Sequence, residues 1–246
     1  MKRLTIEQID QITNEFYSCF CGINLLELKS DIHFVCNKFR DDIVKGFNCK
    51  YTVYVLIKED LCVISYSQKY SDFFEKLRGE KLNYILNAIE EKFKIKKMQL
   101  LIFKNELVND FGAARILNKD DFKSYKRFFS LIHPKINSDD WLQEYFEEKV
   151  NKEYFTGYFV GDSLVSVCDA PDMPYMENKI QHTGIVTLPE ERKKGYAKLT
   201  TALATHNLIE KGICPQWECL LDNTASIALA ESIGYKKYGV ALIVEE

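Results

Sequence analysis

The chain has 246 residues, long enough for one large domain or two ordinary ones. Hydrophobic residues make up 46% and charged residues 28%, which excludes a disordered or fibrous chain. The balance of 33 basic against 36 acidic residues, net −3, gives no overall call for nucleic acid. Eight cysteines, in a chain whose Met1-Lys-Arg-Leu-Thr start runs into a polar helical pattern and not an apolar signal core, read as free thiols of a cytoplasmic protein. Cys19-x-Cys21 and Cys214…Cys219 lack the paired spacing of zinc sites, so no metal is expected. No apolar run approaches the ~18 residues that span a membrane.

In chain order, Thr5-Ile-Glu-Gln8 reads as a capping box, and Ile6, Ile9, Ile12 and Phe16 mark one face of a first helix. Residues 19–28 are apolar and irregular. Over residues 31–47 the spacing of Phe34, Phe39 and Ile43 favours a helix. The β-rich runs 51–57 and 61–66 flank Lys58-Glu-Asp60 and predict a hairpin. Residues 70–77 and 81–93 read as helices, the second carrying Leu82, Ile85, Ile89 and Phe93 at helical spacing, and 98–103 as a strand. The aromatics of this first part are expected in a core, and no chemical motif occurs in it. The expected division is a smaller mixed α/β domain over residues 1–112 and a second domain over 113–246, with the boundary in the polar stretch 105–112.

The second part opens on a strand, 113–117, followed by an aromatic-rich helix over 120–131. Asn137-Ser138 should cap a further helix, with Asp139 and Asp140 in its first turn and Trp141, Tyr145 and Phe146 on its apolar face. Residues 154–160 and 163–168, joined by Gly161-Asp162, read as a tight hairpin. Residues 170–176, with two prolines, are an irregular loop between strands. An apolar run from Gly184 to Leu188 is ended by Pro189, which cannot donate to a ladder. A helix then opens at Gly195 and ends at Gly212 as its C′ residue. The strand 216–221, a helix capped by Asn223 or Thr224 and ended by Gly234, and the strand 235–244 complete the chain.

Chemistry concentrates in the turn before Gly195. Arg192-x-x-Gly195-x-Ala197 puts small residues in the first turn of a helix, where unpaired N–H groups and the positive end of the dipole point outward. Arg192, Lys193, Lys194 and Lys198 add positive charge, and such a site suits a pyrophosphate. The spacing is neither the dinucleotide glycine pattern nor a Walker loop. A second stretch lies downstream: Asn223, Ser226, Leu229, Gly234 and Tyr235, preceded by Cys214-Pro-Gln-Trp-Glu-Cys219.

Together these two stretches resemble the signatures of the GNAT superfamily of acyl-CoA-dependent N-acyltransferases, in particular the GNAT acetyltransferase subgroup with an added N-terminal domain; the resemblance covers roughly residues 114–246. It implies a mixed α/β sheet of the GNAT acyl-CoA N-acyltransferase fold in the C-terminal half, with acetyl-CoA as co-substrate and the amine of a small molecule as acceptor. It implies that pantetheine pairs with Ile185, Val186 and Thr187, that the pyrophosphate sits on Lys193, Lys194, Gly195, Tyr196 and Ala197 beside Arg192, and that Asn223 and Ser226 bond the pantetheine region. A strand N–H at about Val186 is expected to polarise the thioester. The pattern departs from the family at two positions: Ala230 stands where a proton-donating Tyr is usual, and Gln181-His182 where many relatives carry Glu. His182, for its intrinsic pKa, and Glu218 are the candidate bases, each with a structural alternative as a hydrogen-bonded histidine or a solvated carboxylate. Tyr235, Tyr175 and Tyr196 are the candidate donors. The competing function is a non-catalytic acyl-CoA-binding or sensing protein. The sequence leaves the acceptor's identity open, and the oligomeric state too, a homodimer included.

Overall fold

The computed structural model describes residues 3–106 and 110–246; the middle of the boundary stretch 105–112 therefore lies outside the described residues, as do the first two residues of the chain. The fold is mixed α/β, built on two sheets. Its elements are α1 (Ile6–Cys21), β1 (Ile32–Cys36), β2 (Ile43–Val44), β3 (Cys49–Lys58), β4 (Leu61–Tyr66), α2 (Ser71–Glu75), α3 (Leu82–Lys92) and β5 (Lys96–Phe103), then β6 (Ala114–Ile116), α4 (Phe122–Ile132), α5 (Leu142–Asn151), β7 (Thr156–Val160), β8 (Ser163–Asp169), β9 (Ile180–His182), β10 (Gly184–Thr187), α6 (Tyr196–Glu210), β11 (Cys214–Leu220), α7 (Thr224–Ser232) and β12 (Tyr235–Glu245).

The larger sheet runs β1-β4-β3-β12-β5-β11-β9, with β2 on β3, and the smaller runs β10-β8-β7-β6. Among the described residues only β1/β4 and β11/β9 are parallel. The first half of the chain builds no sheet of its own. β12 is bonded to β3 on one side and to β5 on the other, and β5 also pairs β11, so a strand from the first 103 residues fills the slot between the last two strands of the chain.

Side chains alternate along β3 as strand geometry requires: Tyr54 and Leu56 pack with α1, while Val53 and Val55 pack with α2 and α3. α1 is held by the capping box, in which Thr5 Oγ1 accepts from Gln8 N–H and Gln8 Oε1 from Thr5 N–H, and by Gly22 in the left-handed conformation after its last turn. Its buried face is Ile9, Phe16, Tyr17 and Phe20, each side chain worth roughly 1.5–3 kcal/mol in burial. Ile6, expected on that face, is exposed. A third core, with Phe146, Phe155 and Leu142, joins α4 and α5 to the smaller sheet.

Two expected elements differ. Residues 31–47 form no helix: they give β1, a 3-10 turn over Lys38–Asp41 and β2. Phe39 and Ile43, two of the three residues that set the helical spacing, are 58% and 67% exposed, so no helix face would be buried by them. Alternation decides the segment, with Ile32 and Phe34 on the α3 side and Val35 on the α1 side. The helix expected to be capped at Asn137-Ser138 starts only at Leu142: Asn137 closes its own turn by accepting from Asp139 N–H, and Trp141, at the N-cap, donates its indole N–H to the Asn137 carbonyl at 3.2 Å. The hairpins, the 82–92 helix and the break at Pro189 occur as expected.

Candidate functional site

The site arises where the two sheets part. β9 pairs with β11 as far as Gln216, whose carbonyl accepts from Thr183 N–H at 3.1 Å, and there the strands separate, because β10 turns to pair with β8. The ladder parity fixes which backbone groups face the gap. Leu188 N–H donates to Val165 O in the β10/β8 register, so the ladder bonds fall on Gly184, Val186 and Leu188. The N–H and C=O groups of Ile185 and Thr187 therefore point away from β8, into the gap. On the other edge Leu221 N–H donates to Lys97 O, so Trp217 and Cys219 bond β5 while the backbone of Glu218 and Leu220 faces the gap. For the strand N–H expected at about Val186, the register narrows the choice: the Val186 amide is taken by the ladder to Val167, and Ile185 and Thr187 carry the free ones.

Beyond Thr187 the chain makes a 3-10 turn over Pro189–Glu191 and enters α6 through two left-handed residues, Lys193 at φ 63° and Gly195 at φ 88°. Among the described residues no side chain caps α6, so the N–H groups of its first turn are left to whatever occupies the gap. Arg192 is pinned by an Nε–H donated to the Thr187 carbonyl at 3.2 Å. Lys194 bonds Glu191 at 2.9 Å and does not line the crevice. α7 supplies the opposite wall. Asn223 Oδ1 accepts from Ser226 N–H at 3.1 Å as its cap, and Ser226 Oγ accepts from the Trp217 indole at 3.1 Å. The result is a crevice of about 660 Å³ lined by Ile185, Val186, Thr187, Arg192, Lys193, Gly195, Tyr196, Ala197, Asn223 and Ser226, together with Glu191, Lys198, Ala225 and Leu229. It brings together ten of the eleven residues expected to touch the cofactor and leaves out Lys194.

The two candidate bases stand at the head of the gap. His182 is the last residue of β9, and its Nε2 lies 3.6 Å from Glu218 Oε1, beyond hydrogen-bond length. That Nε2 is buried with no hydrogen-bond partner among the described residues. Sequence reasoning missed Tyr17, which reaches Glu218 from α1, some two hundred residues away in the chain. Its hydroxyl donates to Glu218 Oε1 at 2.8 Å and lies 3.1 Å from Gln216 Oε1. Burial, with the Glu218 charge adding to it, pushes the Tyr17 hydroxyl well above its ordinary range, so it stays a donor. Gln181 is a structural residue, its amide donating to the Pro171 carbonyl at 2.8 Å, and Ala230 is buried in the core. Among the candidate donors Tyr235 is enclosed, its hydroxyl 3.0 Å from Thr205 Oγ1, and Tyr175 packs on Phe16 and Phe20; only Tyr196, stacked on Tyr158, lines the crevice.

A second missed residue is Asp169, paired opposite Gly184 where β10 begins. A Cβ on Gly184 would come within 2.1 Å of its Oδ1, so glycine is what lets the carboxylate lie over the strand. Burial pushes its pKa up to about 6, partly offset by a backbone hydrogen bond to its carboxylate and, less, by Lys149 and His133. Nothing in the sequence distinguishes it from an ordinary strand-end aspartate.

Among the described residues no helix is long and apolar enough to cross a membrane, no cluster of three or more His, Cys, Asp or Glu is placed to hold a metal, and the eight cysteines are free. Residues 130–239 match the family model described as GNAT acetyltransferase. Among solved structures, an acetyltransferase from the GNAT family from Colwellia psychrerythraea is 11% identical over 99% of this chain and 98% of that one, with a TM-score of 0.55. At that identity the likeness shows the fold, and it extends over the whole chain. A protein described as an acetyltransferase from the GNAT family from Novosphingobium aromaticivorans is 17% identical with a TM-score of 0.48; this chain spans 64% of its length. No curated protein matches the sequence.

Proposed function

We propose, from the match of residues 130–239 to the family model described as GNAT acetyltransferase, that the protein transfers an acetyl group from acetyl-CoA to the amine of a small acceptor. The observation that carries this reading is the crevice where β10 leaves β11, with free backbone groups at its edge and an uncapped, basic helix start at its end. The main chain of Ile185 and the Thr187 N–H would pair with the pantetheine amides as a further strand does, the Thr187 carbonyl being held by Arg192. The N–H groups from Lys193 to Ala197 would receive the pyrophosphate, with Arg192, Lys193 and Lys198 as counter-charges. The neutral amine attacks the thioester carbon, the C–S bond breaks, the amine nitrogen loses its proton and the CoA sulfur gains one. Most of the acceleration comes from holding the two reactants together. His182, with its unpartnered Nε2, and Glu218, oriented by Tyr17, are the groups through which the proton would leave. Tyr196, the candidate donor that lines the crevice, would protonate the thiolate.

The structural roles of Gln181 and Ala230 favour a second reading, an acyl-CoA-binding protein without turnover. Thiol release from acetyl-CoA over a panel of small amines separates the two. Acetyl transfer with KM values between about 1 µM and 1 mM supports the enzyme. Binding of acetyl-CoA with no amine-dependent thiol release supports the second reading.

A further inference from the structure

A separate cavity of about 140 Å³ lies beneath α4 and α5 and has one lining residue, Val186, in common with the crevice. Its walls are aromatic: Tyr125 and Phe129 from α4, His133 just beyond α4 with its ring 4.7 Å from Phe129, Tyr145 from α5 and Trp141, with Phe129 and Trp141 edge-to-face at 5.6 Å. The acidic group in it is Asp169, whose carboxylate lies over Gly184 at the floor. The neighbouring cation is already committed, since Lys149 is almost fully buried with its Nζ 2.7 Å from Asp172 Oδ1. Among the described residues no basic side chain forms an ion pair with Asp169. A carboxylate so enclosed and without a cationic partner is costly, and the negative faces of the surrounding rings make the space favourable for a cation.

We propose that this cavity is the acceptor pocket and that it selects a small primary alkylammonium: Asp169 receives the cationic head, the aromatic walls hold the apolar tail, and an acceptor carrying a carboxylate is rejected. At a water's share of about 30 Å³, the volume has room for on the order of five non-hydrogen groups, which suits a butylamine-sized molecule and excludes a peptide chain or an aminoglycoside. With Val186 in both linings, the cavity is the crevice's neighbour across one residue of β10. This inference rests on the proposed acetyl transfer for its meaning, while its binding test does not depend on turnover.

The test titrates n-butylammonium chloride into the full chain and into Asp169→Asn, read by the fluorescence of Trp141, with a Trp141→Phe variant to assign the signal against Trp217. Acetyl-CoA binding is measured on the same preparations. The expected result is saturable butylammonium binding, weakened at least tenfold in Asp169→Asn, with acetyl-CoA affinity changed less than twofold. The wild type should bind 4-aminobutyrate at least tenfold more weakly than butylammonium. Equal butylammonium affinity in the two proteins, equal affinity for 4-aminobutyrate, or no butylammonium binding by a protein that binds acetyl-CoA overturns the proposal. Asp169-dependent butylammonium binding by a protein that fails to bind acetyl-CoA upholds the cation pocket and removes the acetyl-transfer reading.

Discussion

Asp169 makes a stability prediction whose sign is unusual for a buried acid being removed. Its folded pKa is raised from 3.8 to about 6, so folding disfavours its ionised form. The raised value means that the group subtracts stability as it ionises. The penalty is absent below the unfolded pKa near 4, grows between about pH 4 and 6, and is complete above. Two units at 1.36 kcal/mol each give a penalty of about 3 kcal/mol at neutral pH. The groups around it are Lys149 and His133, which lower the penalty, and Tyr125, Tyr145 and Cys168, which stay neutral because Asp169 and burial raise them further. Asp169→Asn keeps the shape and removes the charge. It should therefore be more stable than wild type by about 3 kcal/mol at pH 7.5 and by roughly half that at pH 5. At about 2–4 °C per kcal/mol for a chain of this size, the melting temperature rises by about 6–12 °C at pH 7.5. Thermal denaturation of both proteins between pH 5 and pH 8 reads this directly. A variant less stable than wild type, or a gain that does not change with pH, refutes the reasoning. A gain in stability with a loss of amine binding would be the usual mark of a residue kept for function.

Two further predictions concern parts far apart in the chain. Tyr17→Phe removes the hydroxyl donated to Glu218; a hydrogen bond to a charged group is worth about 1.5–3 kcal/mol, so melting should fall by about 3–12 °C. The same variant should lower kcat for acetyl transfer while leaving the acetyl-CoA dissociation constant within twofold; an unchanged melting curve together with unchanged kcat would contradict the role given to Tyr17. A fragment of residues 113–246 loses β5, exposing the edges of β11 and β12 to solvent, and should be aggregated or unfolded by circular dichroism and size-exclusion chromatography. A monomeric, cooperatively melting fragment would show that the inserted strand is dispensable.

Local signals carried much of this structure into the sequence. The Thr5–Gln8 capping box, the Gly161 turn of the β7/β8 hairpin and the Gly212 end of α6 were readable because a few adjacent residues settle them. At Gly212 the structure shows the paired 6→1 and 5→2 bonds, Ile213 N–H to Leu208 O and Gly212 N–H to Ile209 O. The crevice was legible for the same reason: the turn at Arg192–Ala197 and the cap at Asn223 are each contiguous. What depends on long-range pairing was not. Phe39 and Ile43 mimic a helical period, but Ile32–Cys36 is made a strand by β4, a partner some thirty residues on. The insertion of β5 between β11 and β12 leaves no trace in order along the chain. Tyr17 meets Glu218, and Asp169 meets its aromatic walls, only through tertiary packing, and their chemical character comes from burial that single residues do not announce.

The most direct test of the central claim is a calorimetric titration of acetyl-CoA into the purified protein and into an Arg192→Ala, Gly195→Glu double variant. Gly195 has open space where a side chain would grow, so the added carboxylate projects into the anion site without a clash, although its φ of 88° adds about 1–2 kcal/mol of backbone strain. The account predicts saturable one-to-one binding by the wild type and at least a hundredfold weaker binding by a variant that still melts cooperatively. No binding by the wild type, or equal binding by the folded variant, would contradict the assignment of the crevice to acetyl-CoA.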